Sequence, residues 1–372
     1  METKSKNSFT EDMTPAFSFG LPFIFVPLMI IAWIYGGWTI LAVPIFGYVI
    51  ITIFDFLIGT KMIAPKFKPD EDNKKYKIIL FAWPPIQLFL IFGSLVAIFS
   101  FEHLNFIEAT GLMLVQGLIT GAVGIVFAHE LMHQKTRFER FLSDLLMGMA
   151  IYGHFRTEHV LVHHRHVGTE KDAVTARFGE GFYKFFIRIV PQCFFSAWET
   201  EKEMLTKKER PFWDFLNPFY IYFGLSILFL VSSFLIGGIL GVLCFFIQAF
   251  IAVLHLEVVN YIEHYGLVRQ KLENGKFEPT KPHHSWNANH HASNLLLINL
   301  QKHSDHHARP NKTYESLQSY DENDAPQLPF GYPLMVLISL IPGLWRKVMD
   351  PKVIEWRNKF YPDLTDWGKS QA

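Results

Sequence analysis

Cysteine is nearly missing from this chain: Cys193 and Cys244 are the only two in 372 residues, and they stand far apart. Without a CxxC pair, thiolate zinc sites and iron–sulfur ligation are excluded. Charge is scarce as well. Only 18% of the residues are charged, against about 25% in an average soluble domain. The 34 cations balance the 34 anions, so net charge gives no case for nucleic-acid binding or an acidic tail. There is no internal repeat, no low-complexity stretch, and no signal-type cleavage site after the polar opening segment, so the first apolar stretch reads as a retained span. What fills the chain instead is apolar and aromatic bulk, with 50% hydrophobic residues and 37 phenylalanines. It also holds 17 histidines, 16 of them from His129 to His307.

Crossing a bilayer takes about 20 apolar residues in a helix. Six stretches qualify, in three pairs: 15–35 with 38–58, 78–100 with 106–128, and 218–236 with 239–261. Each pair reads as a helical hairpin with a short turn. No Lys or Arg lies between Lys6 and Lys61, between Lys77 and Lys135, or between Arg210 and Arg269, whereas the loop after the second stretch carries Lys61, Lys66, Lys68, Lys74 and Lys75. The positive-inside rule then puts both termini and both long loops in the cytoplasm. The expected fold is an all-α polytopic membrane protein of six spans with a cytoplasmic histidine-rich cap. As a single membrane domain, 1–372, it divides into four spans (15–133), a cytoplasmic histidine-containing segment (134–217), two spans (218–264) and a C-terminal cap (265–372). The segment 134–217 should be helical and amphipathic, Asn274-Gly275 should form a turn, and the proline-broken run 328–345 should be interfacial or re-entrant.

The histidines fall into clusters near the predicted span ends. His129-Glu-Leu-Met-His133 has the i, i+4 spacing that puts two imidazoles on one helix face. His159-Val-Leu-Val-His163-His164 repeats that spacing with an added neighbour. His264 closes the last span, and His303-Ser-Asp-His306-His307 is spaced i, i+3, i+4. A single histidine at a helix end is usually a cap, and HExxH alone also specifies a zinc peptidase with Glu130 as base. Nine imidazoles at one membrane face exceed what one zinc takes; they suit two metal ions, though imidazole serves Fe, Cu, Zn and Ni alike.

Four strings together resemble the histidine motifs of the integral-membrane alkane 1-monooxygenases: His129-Glu-Leu-Met-His133, Glu158-His159 through His164, Asn260-Tyr-Ile-Glu-His-Tyr-Gly-Leu267 and Leu300-Gln-Lys-His-Ser-Asp-His-His307. His284-Ser-Trp-Asn287, Ala325-Pro-Gln-Leu-Pro329 and Leu344-Trp-Arg-Lys-Val-Met-Asp350 are similar too, so the likeness runs from about residue 50 to 350. Xylene monooxygenases and membrane fatty-acid desaturases are wider relatives. The filler of the second motif and Met132 depart from the pattern, while the histidines are intact.

The resemblance implies two non-haem irons held by His129, His133, His159, His163, His164, His264, His303, His306 and His307. It implies hydroxylation of a terminal methyl group with O2 and two electrons. Glu130, Glu158, Glu263 and Asp305 adjoin ligands in sequence and are expected to accept an imidazole's second N–H, or alternatively to coordinate metal. His154 is expected beside them, and His255 is a candidate buried polar group near the substrate route. The substrate is expected to be a medium- to long-chain n-alkane entering from the lipid. No motif for flavin, nicotinamide or haem is present, so electrons must come from outside. By resemblance the donor is rubredoxin with its reductase, docking at the inner membrane's cytoplasmic face near Lys302, Arg309 and Lys312. The alternatives are a fatty-acid desaturase or hydroxylase, a xylene-type monooxygenase, a histidine-rich metal transporter or, more distantly, an intramembrane zinc metalloprotease.

Overall fold

Long apolar helices, capped by shorter polar ones, make up a computed structural model that describes residues 14–65, 74–364 and 367. Lys66 and Lys68 of the cation-rich loop, and the polar opening segment up to residue 13, lie outside the described residues. Four apolar helices come first: α1 (Ala16–Tyr35), α2 (Gly37–Ile58), α3 (Lys74–Ser100) and α4 (Phe106–Met132). Then follow α5 (Arg137–Met149), a helical segment α6 (155–166), α7 (Phe182–Thr206) and α8 (Phe219–His264). The C-terminal part holds α9 (His291–Leu296), α10 (His303–Ala308), α11 (Tyr332–Ser339) and α12 (Pro342–Phe360). Among the described residues β-pairing is limited to isolated bridges, one of which, Lys271 with Phe277, flanks the expected turn at Gly275.

Five of these helices, α1 to α4 and α8, are long and apolar enough to cross a membrane, where the sequence suggests six stretches. The difference lies in α8, a run of 46 residues. Its backbone leaves helical angles at Gly237 (φ −134°) and Gly238 (φ 58°), the second of which only glycine adopts cheaply. A Cβ on Gly241 would collide with the Ser233 carbonyl oxygen, although eight residues of straight helix span about 12 Å. The chain therefore doubles back, leaving limbs 219–236 and 239–264. Trp38, Phe56, Leu57 and Leu235 point outward and are exposed, as side chains facing hydrocarbon would be. The protein is a multi-pass membrane protein.

Capping fixes where the helices begin. Asn105 accepts from the N–H groups of Ile107 and Glu108, while the Glu108 carboxylate accepts from the Asn105 N–H, a reciprocal cap at the start of α4. The same carboxylate accepts from the Gly37 N–H at 2.7 Å, tying the first turn to the second. Thr136 and Glu139 form the equivalent cap on α5, and Lys77 pairs with Glu139 at 2.9 Å. The run 328–345 resolves into α11 and the start of α12, and α11 buries Tyr332, Met335, Val336 and Ile338.

Close packing of α4 on α8 aims the histidines. A Cβ on Gly117 would stand 2.6 Å from Ile251 Cβ, and one on Gly121 2.6 Å from His255 Cβ; this small-xxx-small spacing lets backbones meet. Beside it runs a buried chain of hydrogen bonds. Gln87 Nε2 donates to Thr120 Oγ1 (2.7 Å), Thr120 Oγ1 to Gln248 Oε1 (3.0 Å), and Gln248 Nε2 to the Met149 carbonyl (2.7 Å). Thr120 opens a π-helical turn, Thr120–Gly124, one turn before the first histidine motif. Such a turn re-aims everything beyond it.

Candidate metal centre

Helix ends deliver the nine predicted histidines to one place, in two groups. His129, His133, His159, His164 and His306 form one; His163, His264, His303 and His307 form the other. Within each group the candidate ligand atoms all lie within 4.8 Å of one another. α4 carries His129 and His133 to its end, α6 carries His159, His163 and His164, α8 ends on His264, and α10 holds the last three.

The backbone of α6 decides the sharing. Residues Glu158–His163 are π-helical, so neighbours on one face stand five apart rather than four. His159 Nε2 accordingly meets His164 Nε2 at 3.0 Å, while His163 turns to His307, Nε2 to Nε2 at 3.2 Å. The i, i+4 spacing leaves the His159 and His163 rings side by side, 5.2 Å between centroids, yet the two belong to different groups. In α10 ordinary helical spacing holds: His303 and His307 meet at 2.9 Å, and His306 crosses to His164 at 3.0 Å. Two motifs thus each contribute to both groups.

Those contacts fit a cation. A neutral imidazole has one N–H, and His163 commits its own through Nδ1 to Asp172 Oδ2 at 3.0 Å. Its Nε2 then presents a lone pair to His307. Imidazole nitrogens bound about 2.1 Å from one ion stand about 3.0 Å apart when at right angles, close to the 2.9–3.2 Å seen here. Burial holds His133 down at about 3 and holds His159, His164, His303, His306 and His307 well below the ordinary histidine value. All six are neutral at pH 7, as metal ligation requires.

The expected supporting residues fare unequally. Glu263 Oε1 lies 3.4 Å from His303 Nδ1 and accepts from the Tyr332 hydroxyl at 2.9 Å. Glu130 accepts from Gln134 Nε2 (2.7 Å) and the Tyr314 N–H (3.3 Å), and borders a small cavity with His129 and His306. Glu158 is fully buried, with neither carboxylate oxygen paired among the described residues, and burial pushes its carboxyl well above the ordinary range. Asp305 turns away from imidazole: it accepts from Lys312 Nζ (2.7 Å), the Gln318 N–H (3.0 Å) and the Tyr320 hydroxyl (3.1 Å). His154 packs instead between Tyr152 and Phe194. Asp172, which does take an imidazole N–H, has no sequence signal. It lies nine residues after His163, and only the turn through Thr169–Thr175 brings it back.

The suggested cationic flank changes too. Lys302 is buried and donates to the Leu317 carbonyl, and Lys312 is buried against Asp305, leaving Arg309 exposed.

An apolar cavity, open on one side, lies between the helices below the histidines, walled by Phe25, Tyr48, Ala122, Val126, His255 and Val259 among others. A smaller one touches His129, Glu130 and His306. Val126 and Leu300 border both.

Residues 104–339 match the family model described as fatty acid desaturase. The chain is 39% identical over 321 residues to alkane 1-monooxygenase 1 of Pseudomonas aeruginosa, covering 84% of this chain and 82% of that one. It is 36% identical over 333 residues to the alkane 1-monooxygenase of Ectopseudomonas oleovorans, covering 90% and 79%. To the xylene/toluene monooxygenase hydroxylase component of Pseudomonas putida it is 29% identical over 258 residues, covering 68% and 67%. With that identity sustained over most of its length, the chain is an enzyme and belongs to the alkane 1-monooxygenase family.

Proposed function

We propose that the protein hydroxylates the terminal methyl group of medium- to long-chain n-alkanes, giving 1-alkanols, with O2 and two electrons from rubredoxin and its reductase. The observation that carries this reading is an apolar cavity that shares Val126 and Leu300 with a smaller one bordered by His129 and His306, beside the two groups of imidazoles. Two non-haem irons are the metals proposed, one held by His129, His133, His159, His164 and His306, the other by His163, His264, His303 and His307. When bound, the irons supply the activation of O2 needed to attack an unactivated C–H bond. The protein's own part is placement. Asp172 holds the His163 ring through Nδ1, and Glu263 stands to do the same for His303. Val126 and Leu300 line the way from the cavity to the centre and exclude water from it. An alkane has no polar handle, so shape alone selects it.

The proposal includes six spans, with α8 counted as two, in a single membrane domain of the inner membrane. The cation distribution supports placing both termini, the segment 134–217, the cap 265–372 and the metal site in the cytoplasm. Rubredoxin would dock there, since the chain has no cysteine pair of its own.

The test is metal analysis of purified protein together with an oxygen-dependent assay on an alkane. About two irons per chain and 1-alkanol formation are expected; one zinc with no iron would refute the reading. The match to the desaturase model favours a second reading, removal of hydrogen from a lipid acyl chain; an alkene product in place of an alcohol would establish it. The peptidase reading uses only His129, Glu130 and His133 and leaves seven grouped histidines without a role.

A further inference from the structure

Helix α7 lies across the bundle and not along it. Near its start, Phe182 and Phe185 pack on Tyr261, with ring centroids 5.8 and 5.4 Å apart. Farther on, Phe194 and Trp198 pack on Phe219, at 5.9 and 5.0 Å. Phe219 opens the first limb of α8, and Tyr261 stands near the end of the second. Because the chain doubles back between the limbs, both residues lie at one face of the membrane, the face that holds the histidines. α7 therefore runs along that face, in the plane of the bilayer.

Residues four apart share a side of a helix, and this spacing sorts the sides of α7. Phe185, Ile189, Cys193 and Ala197 are buried against the protein. Phe186, Val190, Phe194 and Trp198 flank that stripe on one side and are half-buried. This is the membrane side. Phe186 meets Phe250 at 6.0 Å, and Phe250 lies eleven residues before Tyr261 in α8, about 16 Å of helix deeper. Lys184, Arg188, Gln192 and Ser196 flank the buried stripe on the other side, toward water. The outermost line is Tyr183, Ile187, Pro191 and Phe195. It is apolar, and Tyr183, Ile187 and Phe195 are 53%, 75% and 62% exposed. A helix whose outer side faces water carries charged or polar residues there; α7 does so only farther along, at Glu199 and Glu203.

The surroundings of this line decide what covers it. Phe250 is itself 55% exposed, so the hydrocarbon-facing side of α8 continues onto α7. After α7 come the exposed Lys207 and Lys208, then the exposed Trp213, Phe215 and Leu216, just before α8 enters its span. Cations and aromatic side chains at a span end suit phosphate headgroups above acyl chains. We infer that α7 is an in-plane membrane helix whose outer apolar line is covered by phospholipid acyl chains, so that only its Lys184–Ser196 side meets water. The same helix props α6, which carries His159, His163 and His164. Thr157 donates to Glu201 at 2.7 Å, and His154 packs on Phe194 at 5.2 Å. The lipid on α7 thus backs the histidine groups, whatever reaction they serve.

The experiment places one spin label at a time, on Ile187→Cys, Phe195→Cys or Gln192→Cys, in the full chain in phosphatidylcholine–phosphatidylglycerol nanodiscs. The signal of the parent chain, whose cysteines are buried or half-buried, is subtracted. Labels replacing Ile187 and Phe195 should respond more to molecular oxygen, which dissolves among acyl chains, than to a water-soluble nickel chelate. The label replacing Gln192 should show the reverse. Nickel preference in the first two would put the line in water, and protection from both reagents would put a protein partner on it; either overturns the inference. A second measurement loads metal-free protein with zinc and competes it with a chelator. Ile187→Glu combined with Phe195→Glu puts charge into the lipid and should loosen zinc. Gln192→Glu puts charge on the water side and should leave zinc retention as in wild type. Equal retention in both would overturn the support that α7 lends to the histidines.

Discussion

His159 and His164, five residues apart, bring their Nε2 atoms to 3.0 Å, while His163, one residue from His164, faces a different set of partners. This division follows from the π-helical turn Glu158–His163. It makes neighbouring histidines members of separate groups, and the same is true of His306 and His307.

Adjacent substitutions should therefore deplete different sites. His306→Ala is expected to weaken the five-histidine group and His307→Ala the four-histidine group, each lowering bound metal by about one ion per chain. Elemental analysis gives the content, and spectroscopy of the ion that remains should differ between the two variants. Identical spectra with both metals lost together would contradict two separable groups.

Asp172 offers a second check. Asp172→Asn removes the carboxylate that orients His163, and loss of such a partner typically weakens metal affinity 10–100-fold. Chelator competition on the purified variant would measure it. Asp305→Asn, whose carboxylate bonds to Lys312, Gln318 and Tyr320 instead, should change metal affinity far less. Equal effects from the two would argue against the assignment of Asp172.

At Val126 the effect should fall on substrate and not on metal. Val126→Phe places a ring where the two cavities meet. Alkane hydroxylation should drop about tenfold or more, as a misplaced substrate typically costs, with metal content intact. Full activity on long alkanes would show that the route runs elsewhere.

Acid should destabilise the metal-free protein. Burial lowers the pKa of His133 to about 3 and that of five other grouped histidines well below the usual value. The unfolded chain then binds more protons than the folded one wherever pH lies below the ordinary histidine pKa, about 6.5. Stability contributed by these groups is present in full above that pH and declines as pH falls toward 3. Thermal unfolding midpoints of metal-free protein should therefore drop between pH 7.5 and pH 5. A flat profile would mean that the imidazoles are solvated.

Packing of α4 on α8 gives a last prediction. Gly117→Leu would drive a side chain into Ile251 and the Gln248 carbonyl, both under 3 Å from a Cβ, and should sharply reduce folded protein. Gly224→Leu, where a Cβ meets nothing within 4 Å, should be tolerated. Comparing the recovery of monodisperse protein for the two variants would check this.

The sequence alone determined the membrane class, because runs of apolar residues free of Lys and Arg have few other physical meanings. It also determined which nine histidines could matter, since their spacing places them at helix ends. It determined neither their division nor their supports. The i, i+4 rule presumes an α-helix, and local sequence does not announce the π-turn that pairs His159 with His164. Asp172 reaches His163 only because a loop folds back, and Asp305 turns away because Lys312, Gln318 and Tyr320 offer it better partners than an imidazole does. The position of His255 in a cavity wall depends on Gly121 letting two helices close together. Ring-to-ring geometry is a property of packed helices, and only the tertiary structure could decide it.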